Sequence, residues 1–134
     1  MKRNRRRYVR MEFQNNIPIY LQVIKDIKSR ILSGEIHPGD KLPSSREMAV
    51  RYGVNPNTAS RIYNEMERQG ITFTKRGIGT FVTESDEDLA ELRKTEVRKL
   101  TEKYVSDLTK LGLKGCEIRS EIKQYFLENE CGEK

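Results

Sequence analysis

The stretch NPNTASRIYNEMERQG, residues 55–70, with the KLPSSREMAVRYGV leading into it, constrains this chain more than any other. Ala59, Ile62, Tyr63 and Met66 recur three and four apart, the spacing that lines one face of an α-helix. Asn55 suits the N-cap, and Pro56 falls on the first helical position, where its missing N–H costs nothing. Residues 44–52 predict a shorter helix before it, capped by Ser44 or Ser45, with Met48, Ala49 and Tyr52 turned inward. Gly53 supplies the tight turn between the two. The pair reads as a helix-turn-helix.

Such a pair can be no more than a helical hairpin in a core. Its flanks point further. Asn55, Asn57, Thr58, Ser60 and Arg61 gather short or forked hydrogen-bonding groups at the start of the second helix, on the side away from the apolar stripe. A helix that enters a major groove needs this arrangement, because base edges and phosphates are met at its N-terminal end. Downstream, ITFTKRGIGTFV alternates like two short strands around a basic glycine turn, with Lys75, Arg76 and Gly77 at the tip. Upstream, Pro18 opens a helix over residues 18–33, with Tyr20, Ile24, Ile27 and Ile31 inward and Gly34 ending it. The expected fold is therefore mostly α with a small β-hairpin: a winged helix-turn-helix over residues 11–83, then a helical tail over residues 84–134.

Charge follows this division. The net +6 of the 134-residue chain splits into +6 for residues 1–10, +3 for residues 11–83 and −3 for residues 84–134. Polyanion binding is thus expected at the N-terminal end and protein contact at the other. The arm MKRNRRRYVR either solubilises the chain or contacts phosphates. In the tail, Leu89, Leu92, Val97, Leu100, Tyr104, Leu108 and Leu111 form one helical stripe; after Gly112, Ile118, Ile122, Tyr125 and Phe126 form another. Two such helices cannot enclose a ligand pocket of several hundred Å³ between them. They can bury their stripes against a second copy or against their own winged helix, and we expect the dimer, through Leu92, Leu100, Tyr104, Leu108, Leu111, Ile118, Ile122 and Phe126.

Several function classes lack their residues. There is no nucleophile–base pair and no glycine-rich phosphate loop bearing a lysine, so an enzyme is not expected. His37, the lone histidine, sits in a predicted turn, and Cys116 and Cys131 belong to no metal-ligand spacing, so no metal or cofactor is expected. No run of about 18 apolar residues and no secretory signal is present, which predicts a cytoplasmic protein.

In its order of motifs, IPIYLQV, then LPSSREMAVRYGVNPNTASRIYNEMERQGI, then KRGIGTFV, the chain resembles the DNA-binding domain of the GntR family of bacterial transcription regulators. Its NPNT helix start and short tail resemble the YtrA-like branch. The resemblance implies that Arg46 contacts DNA, often at a guanine, that Ser44 and Ser45 donate to a phosphate, and that the tail dimerises. The family often carries arginine where Ser60 stands; Arg61, about 100° further around the helix, is turned toward a phosphate. The function so implied is a dimeric transcription regulator, a repressor, on an inverted-repeat operator of double-stranded DNA. The recognition helix would take the major groove, and the wing the minor groove or its phosphates. The alternative is a winged-helix module for protein or RNA without operator specificity; Arg46 and the basic wing weigh against it.

Overall fold

The computed structural model describes residues 11–129. The basic arm of residues 1–10 and Cys131 lie outside the described residues. Among the described residues five helices and one hairpin follow in order: α1 (Ile19–Leu32), α2 (Ser45–Tyr52), α3 (Pro56–Arg68), β1 (Thr72–Lys75), β2 (Gly79–Val82), α4 (Asp86–Lys110) and α5 (Gly115–Asn129). They fall into two compact units, the first ending at Leu92 and the second beginning at Arg93.

In the first unit α3 is the hub, packing against α1, α2 and β1. Its stripe of Ala59, Ile62, Tyr63 and Met66 is buried as the spacing requires. Met48, Ala49 and Tyr52 meet it from α2, and Val23, Ile24, Ile27 and Ile31 from α1. Val23, absent from the expected α1 stripe, is fully buried, whereas Tyr20 is only half-buried against the core. Tyr20 lies in the first turn of α1, and Val23 is the residue one turn deeper on that side. The body also reaches past the 83/84 boundary expected from sequence, because Leu89 and Leu92 in the first turns of α4 pack against the same core.

Local chemistry sets the element ends. The Ser44 hydroxyl accepts from the Glu47 N–H at 3.2 Å while the Glu47 carboxylate accepts from the Ser44 N–H at 3.4 Å, a reciprocal cap on α2. Gly53 ends α2 at φ 67°, in the left-handed region that spares glycine the Cβ clash. The wing pairs antiparallel, Thr72 with Val82, Phe73 with Phe81, Thr74 with Thr80 and Lys75 with Gly79. Thr72 and Val82 turn to the core, which leaves the Phe73 and Phe81 rings stacked at 5.8 Å on the outer face. Lys41 adds a bridge to Phe81, flanked by Leu42 N–H to Thr80 O at 2.8 Å and Val82 N–H to Asp40 O at 2.9 Å. The segment before α2 is thereby sewn onto the wing.

One polar cluster ties α1 to α2. The Tyr52 hydroxyl donates to Asp26 Oδ2 at 2.8 Å, Arg30 Nε donates to the same oxygen at 2.9 Å, and Arg30 Nη1 reaches Glu35 at 3.0 Å. Tyr52 is fully buried, so its hydroxyl needs that acceptor.

The second unit is different in kind. Among its described residues only Ile118 is buried. Val97, Leu100, Tyr104, Val105, Leu111, Ile122, Tyr125, Phe126 and Leu127 are all exposed, and Leu108 and Leu113 are half-buried. Gly112, at φ 91°, ends α4, and the Leu113 N–H returns to Leu108 O at 3.2 Å. No helix among the described residues is long and apolar enough to cross a membrane.

Removing the shared acceptor tests the α1–α2 cluster. Asp26→Ala removes the oxygen that the buried Tyr52 hydroxyl and Arg30 Nε share, at a cost of about 1–3 kcal/mol, whereas Tyr52→Phe deletes the donor and costs about 0.5–1.5 kcal/mol. Urea unfolding monitored by circular dichroism measures both; equal losses would contradict this account.

Candidate nucleic-acid interface

Arg46 lies in the first turn of α2, exposed and without an ion pair among the described residues. The Ser44 hydroxyl accepts the cap bond from Glu47 N–H and keeps its own O–H proton to donate; Ser45 is half-buried at the first helical position. Arg51, on the same helix, reaches Glu47 at 3.5 Å with its side chain mostly covered, and so does not present a free cation. Val50 beside it is 82% exposed, an apolar side chain open to solvent on this helix.

On α3 the Asn55 carboxamide oxygen accepts from the Asn57 N–H at 2.8 Å, which leaves the amide NH₂ outward. Asn57 and Ser60 are exposed and Thr58 is half-buried. The guanidinium of Arg61 lies over the Tyr20 ring, 3.9 Å from its centroid. The first turn of α1 thereby fixes where Arg61 stands on the recognition helix. The Tyr63 hydroxyl donates to Pro43 O, which latches α3 to the segment entering α2. This bond and the Val54 N–H to Ala49 O bond at 2.9 Å hold the two polar helix starts in one frame.

At the wing, Lys75, Arg76, Gly77 and Ile78 are exposed. The Ile78 N–H closes the turn on Lys75 O at 2.9 Å, with Gly77 at φ 78°. Lys75 Nζ stands 5.0 Å from the Phe81 ring centroid and 5.7 Å from that of Phe73. The interface residues read from sequence in α2, α3 and the wing thus share the first unit, built on a single core. The expected dimerisation residues fall in the second unit except Leu92, which packs on the winged-helix core.

Two residues of this surface escaped the sequence reading. Lys41 precedes the LPSS motif in a stretch with no period, and only its pairing with β2 brings it to the wing. Tyr20 fitted an apolar spacing, and nothing local signals that it carries Arg61. Among the described residues no cluster of histidine, cysteine or acidic side chains can hold a metal ion. Cys116 is a free, exposed thiol.

The electrostatics of α3 change along its length. Toward its end Glu65 accepts from the Arg68 guanidinium, with Nε at 3.0 Å, and from Gln69 Nε2 at 2.9 Å. The Arg68 hydrogen bond first, and then that of Gln69, hold its carboxyl down at about 2 against an ordinary 4.5. The polar start of the helix contains no acid, while its end carries this closed network.

Residues 19–82 match the model of the bacterial regulatory proteins of the gntR family. The chain is similar to the HTH-type transcriptional regulator YhcF of Bacillus subtilis, 46% identical over 114 residues, covering 85% of this chain and 94% of the relative. It is also similar to the HTH-type transcriptional repressor YtrA of the same organism, 35% identical, covering 94% of this chain and 98% of that one. Among solved structures, the DNA-binding domain of AraR in complex with operator ORX1 superposes with a TM-score of 0.52 at 31% identity, covering 56% of this chain and 96% of that domain's chain. The two full-length relatives are regulators, not enzymes.

The Glu65 network has a pH signature. Because folding depresses this pKa, its stabilising contribution is present above about 4.5 and fades as pH falls toward about 2. Carboxyl-carbon NMR should place the Glu65 midpoint near 2, and Arg68→Ala should bring it back toward the ordinary value. A midpoint near 4.5 in the unsubstituted protein would mean that the Arg68 contact does not persist in solution.

Proposed function

The chain belongs to the GntR family of bacterial regulatory proteins, and from that premise we propose that it is a cytoplasmic, sequence-specific DNA-binding transcription regulator of the short YtrA-like kind, a repressor acting as a homodimer on an inverted-repeat operator. The observation that carries the DNA reading is the acid-free polar start of α3, latched by Tyr63 to the start of α2 where Arg46 stands free. α3 enters the major groove. There Arg46 reads a guanine through a bidentate contact to O6 and N7. Asn55, Asn57, Thr58 and Ser60 meet neighbouring base edges or phosphates. Arg61, held on Tyr20, takes a phosphate, and so do Ser44 and Ser45. Lys75, Arg76 and Gly77 follow the minor groove or its backbone. The similarity to an operator-bound AraR domain supports the same partner class.

The dimer reading rests on the second unit. A 42-residue unit with a single buried side chain among its described residues cannot hold itself together by its own core. Its exposed row of Leu100, Tyr104, Leu111, Ile122 and Phe126 is an apolar surface of the sort that marks an association site. A second copy supplies the matching face, and the dyad so created places two α3 helices on two half-sites. Leu108 and Ile118, more covered within one chain, support the helical pair itself.

Two experiments test these readings. Selection of bound sites from random duplex DNA should enrich an inverted repeat. Arg46→Ala should cost about 1–3 kcal/mol and relax one symmetric position per half-site, while Arg76→Ala weakens all sequences more evenly. An enriched motif without dyad symmetry, or Arg46→Ala at full affinity on an unaltered motif, contradicts the assignment. Leu100→Arg puts a charge on a residue that is 57% exposed in one chain, so the fold should survive while the dimer is lost. Sedimentation at micromolar concentration decides, and a persistent dimer would move the interface elsewhere.

A further inference from the structure

The outer face of the wing holds a second basic group that the helix-turn-helix does not explain. Lys41 and Phe81 are bridge partners, Phe81 pairs with Phe73, and Lys75 pairs with Gly79, so these side chains project from the same face of the hairpin and its bridged edge. The Lys41 chain lies across Gly79: a Cβ on that glycine would stand 2.7 Å from Lys41 Cε and 3.6 Å from its Nζ. Lys75 rises from the residue directly opposite Gly79, its ammonium steadied over the Phe81 ring at 5.0 Å. Gly79 therefore leaves open the space that the Lys41 chain crosses, on the residue paired with Lys75. Neither lysine has an acidic partner among the described residues. Like charges brought across a pair repel unless an anion lies between them.

We propose that Lys41 and Lys75 form one phosphate cradle across Gly79, which makes Lys41 a DNA-backbone contact of this chain. The inference rests on the DNA-binding reading above and adds to it a residue outside the recognition helix, the wing tip and the arginine motif. The place suits a phosphate rather than a base. Two ammonium groups are strongly hydrated point charges that satisfy a tetrahedral anion from two sides but offer no planar fork for a base edge. Their location suits the backbone between the two grooves. Lys41 lies three residues ahead of the Ser44 cap, and Lys75 one residue ahead of the Arg76–Gly77 tip, so the cradle bridges the groups proposed for the major groove and those proposed for the minor groove.

The test uses the full chain and the duplex that wild type enriches from random DNA, with affinity measured over a series of salt concentrations. Lys41→Gln should weaken binding several-fold on the enriched duplex and reduce the log–log salt slope by up to about 0.9, the contribution of one phosphate. It should leave the enriched motif unchanged, and Lys41→Arg should restore most of the affinity. Lys75→Gln should behave alike. Because losing either lysine releases the same phosphate, the double variant should lose less than the product of the two single fold-losses. Lys94→Gln, with the same charge change in the second unit, should keep the wild-type slope. Lys41→Gln with wild-type slope and affinity overturns the cradle, and so does a double variant whose loss equals that product. If wild type enriches no motif and binds duplex without salt dependence, the DNA reading fails and the cradle with it; a normal wild type beside an unaffected Lys41→Gln sinks the cradle alone.

Discussion

The interaction on which the rest of this structure depends is the burial of one stripe on one helix. Ala59, Ile62, Tyr63 and Met66 of α3 face inward, and α1, α2 and β1 each find their packing surface there. Burying side chains of this size is worth roughly 1.5–3 kcal/mol each for the larger ones, enough to dictate which way the helix turns. Once that face is fixed, 3.6 residues per turn decide the opposite one. The polar residues at the start of α3 are presented outward because the apolar ones are held, so fold and proposed function share one geometric cause.

Tyr63 links these roles most directly. Its ring belongs to the core, yet its hydroxyl donates to Pro43 O just before α2. A carbonyl ahead of a helix start has no intrahelical donor, and a core phenol supplies one. The orientation of α2, and so of Arg46, is thus set from inside the body rather than by contacts on the surface Arg46 occupies. Tyr52 acts similarly toward Asp26 on α1. Two tyrosines, each with a buried ring and a satisfied hydroxyl, keep three helices in register.

Much of this was legible in the sequence, and the boundary of legibility is physical. Every inward residue expected on α2 and α3 is buried, and the Asn55 cap and the Gly53 turn stand where expected, because periodicity and capping are properties of a local stretch. The GntR family itself was visible in the order of LPSSRE, NPNT and KRGIGT. The approach of Lys41 to Gly79 and the stacking of Arg61 on Tyr20 join positions some 40 residues apart, and no local pattern encodes them. The packing of the start of α4 is hidden for a related reason. Leu89 and Leu92 share the α4 stripe with the tail residues, so spacing alone could not say that the first two serve a different core.

The stacked Arg61 has a consequence for the thermodynamics of ligand capture. An arginine side chain free in solvent has about 2 kcal/mol of rotamer entropy to lose when it is immobilised on a partner. Here the guanidinium already rests on an aromatic face, so part of that loss occurred when the chain folded. One face of the ion is also covered by the ring before any anion arrives, while its N–H donors lie in the plane of the guanidinium rather than along the stacked face. A lysine in its place would keep the charge but arrive flexible and fully hydrated. At this position the first turn of α1, far from the reading helix in sequence, sets how much order binding must still create.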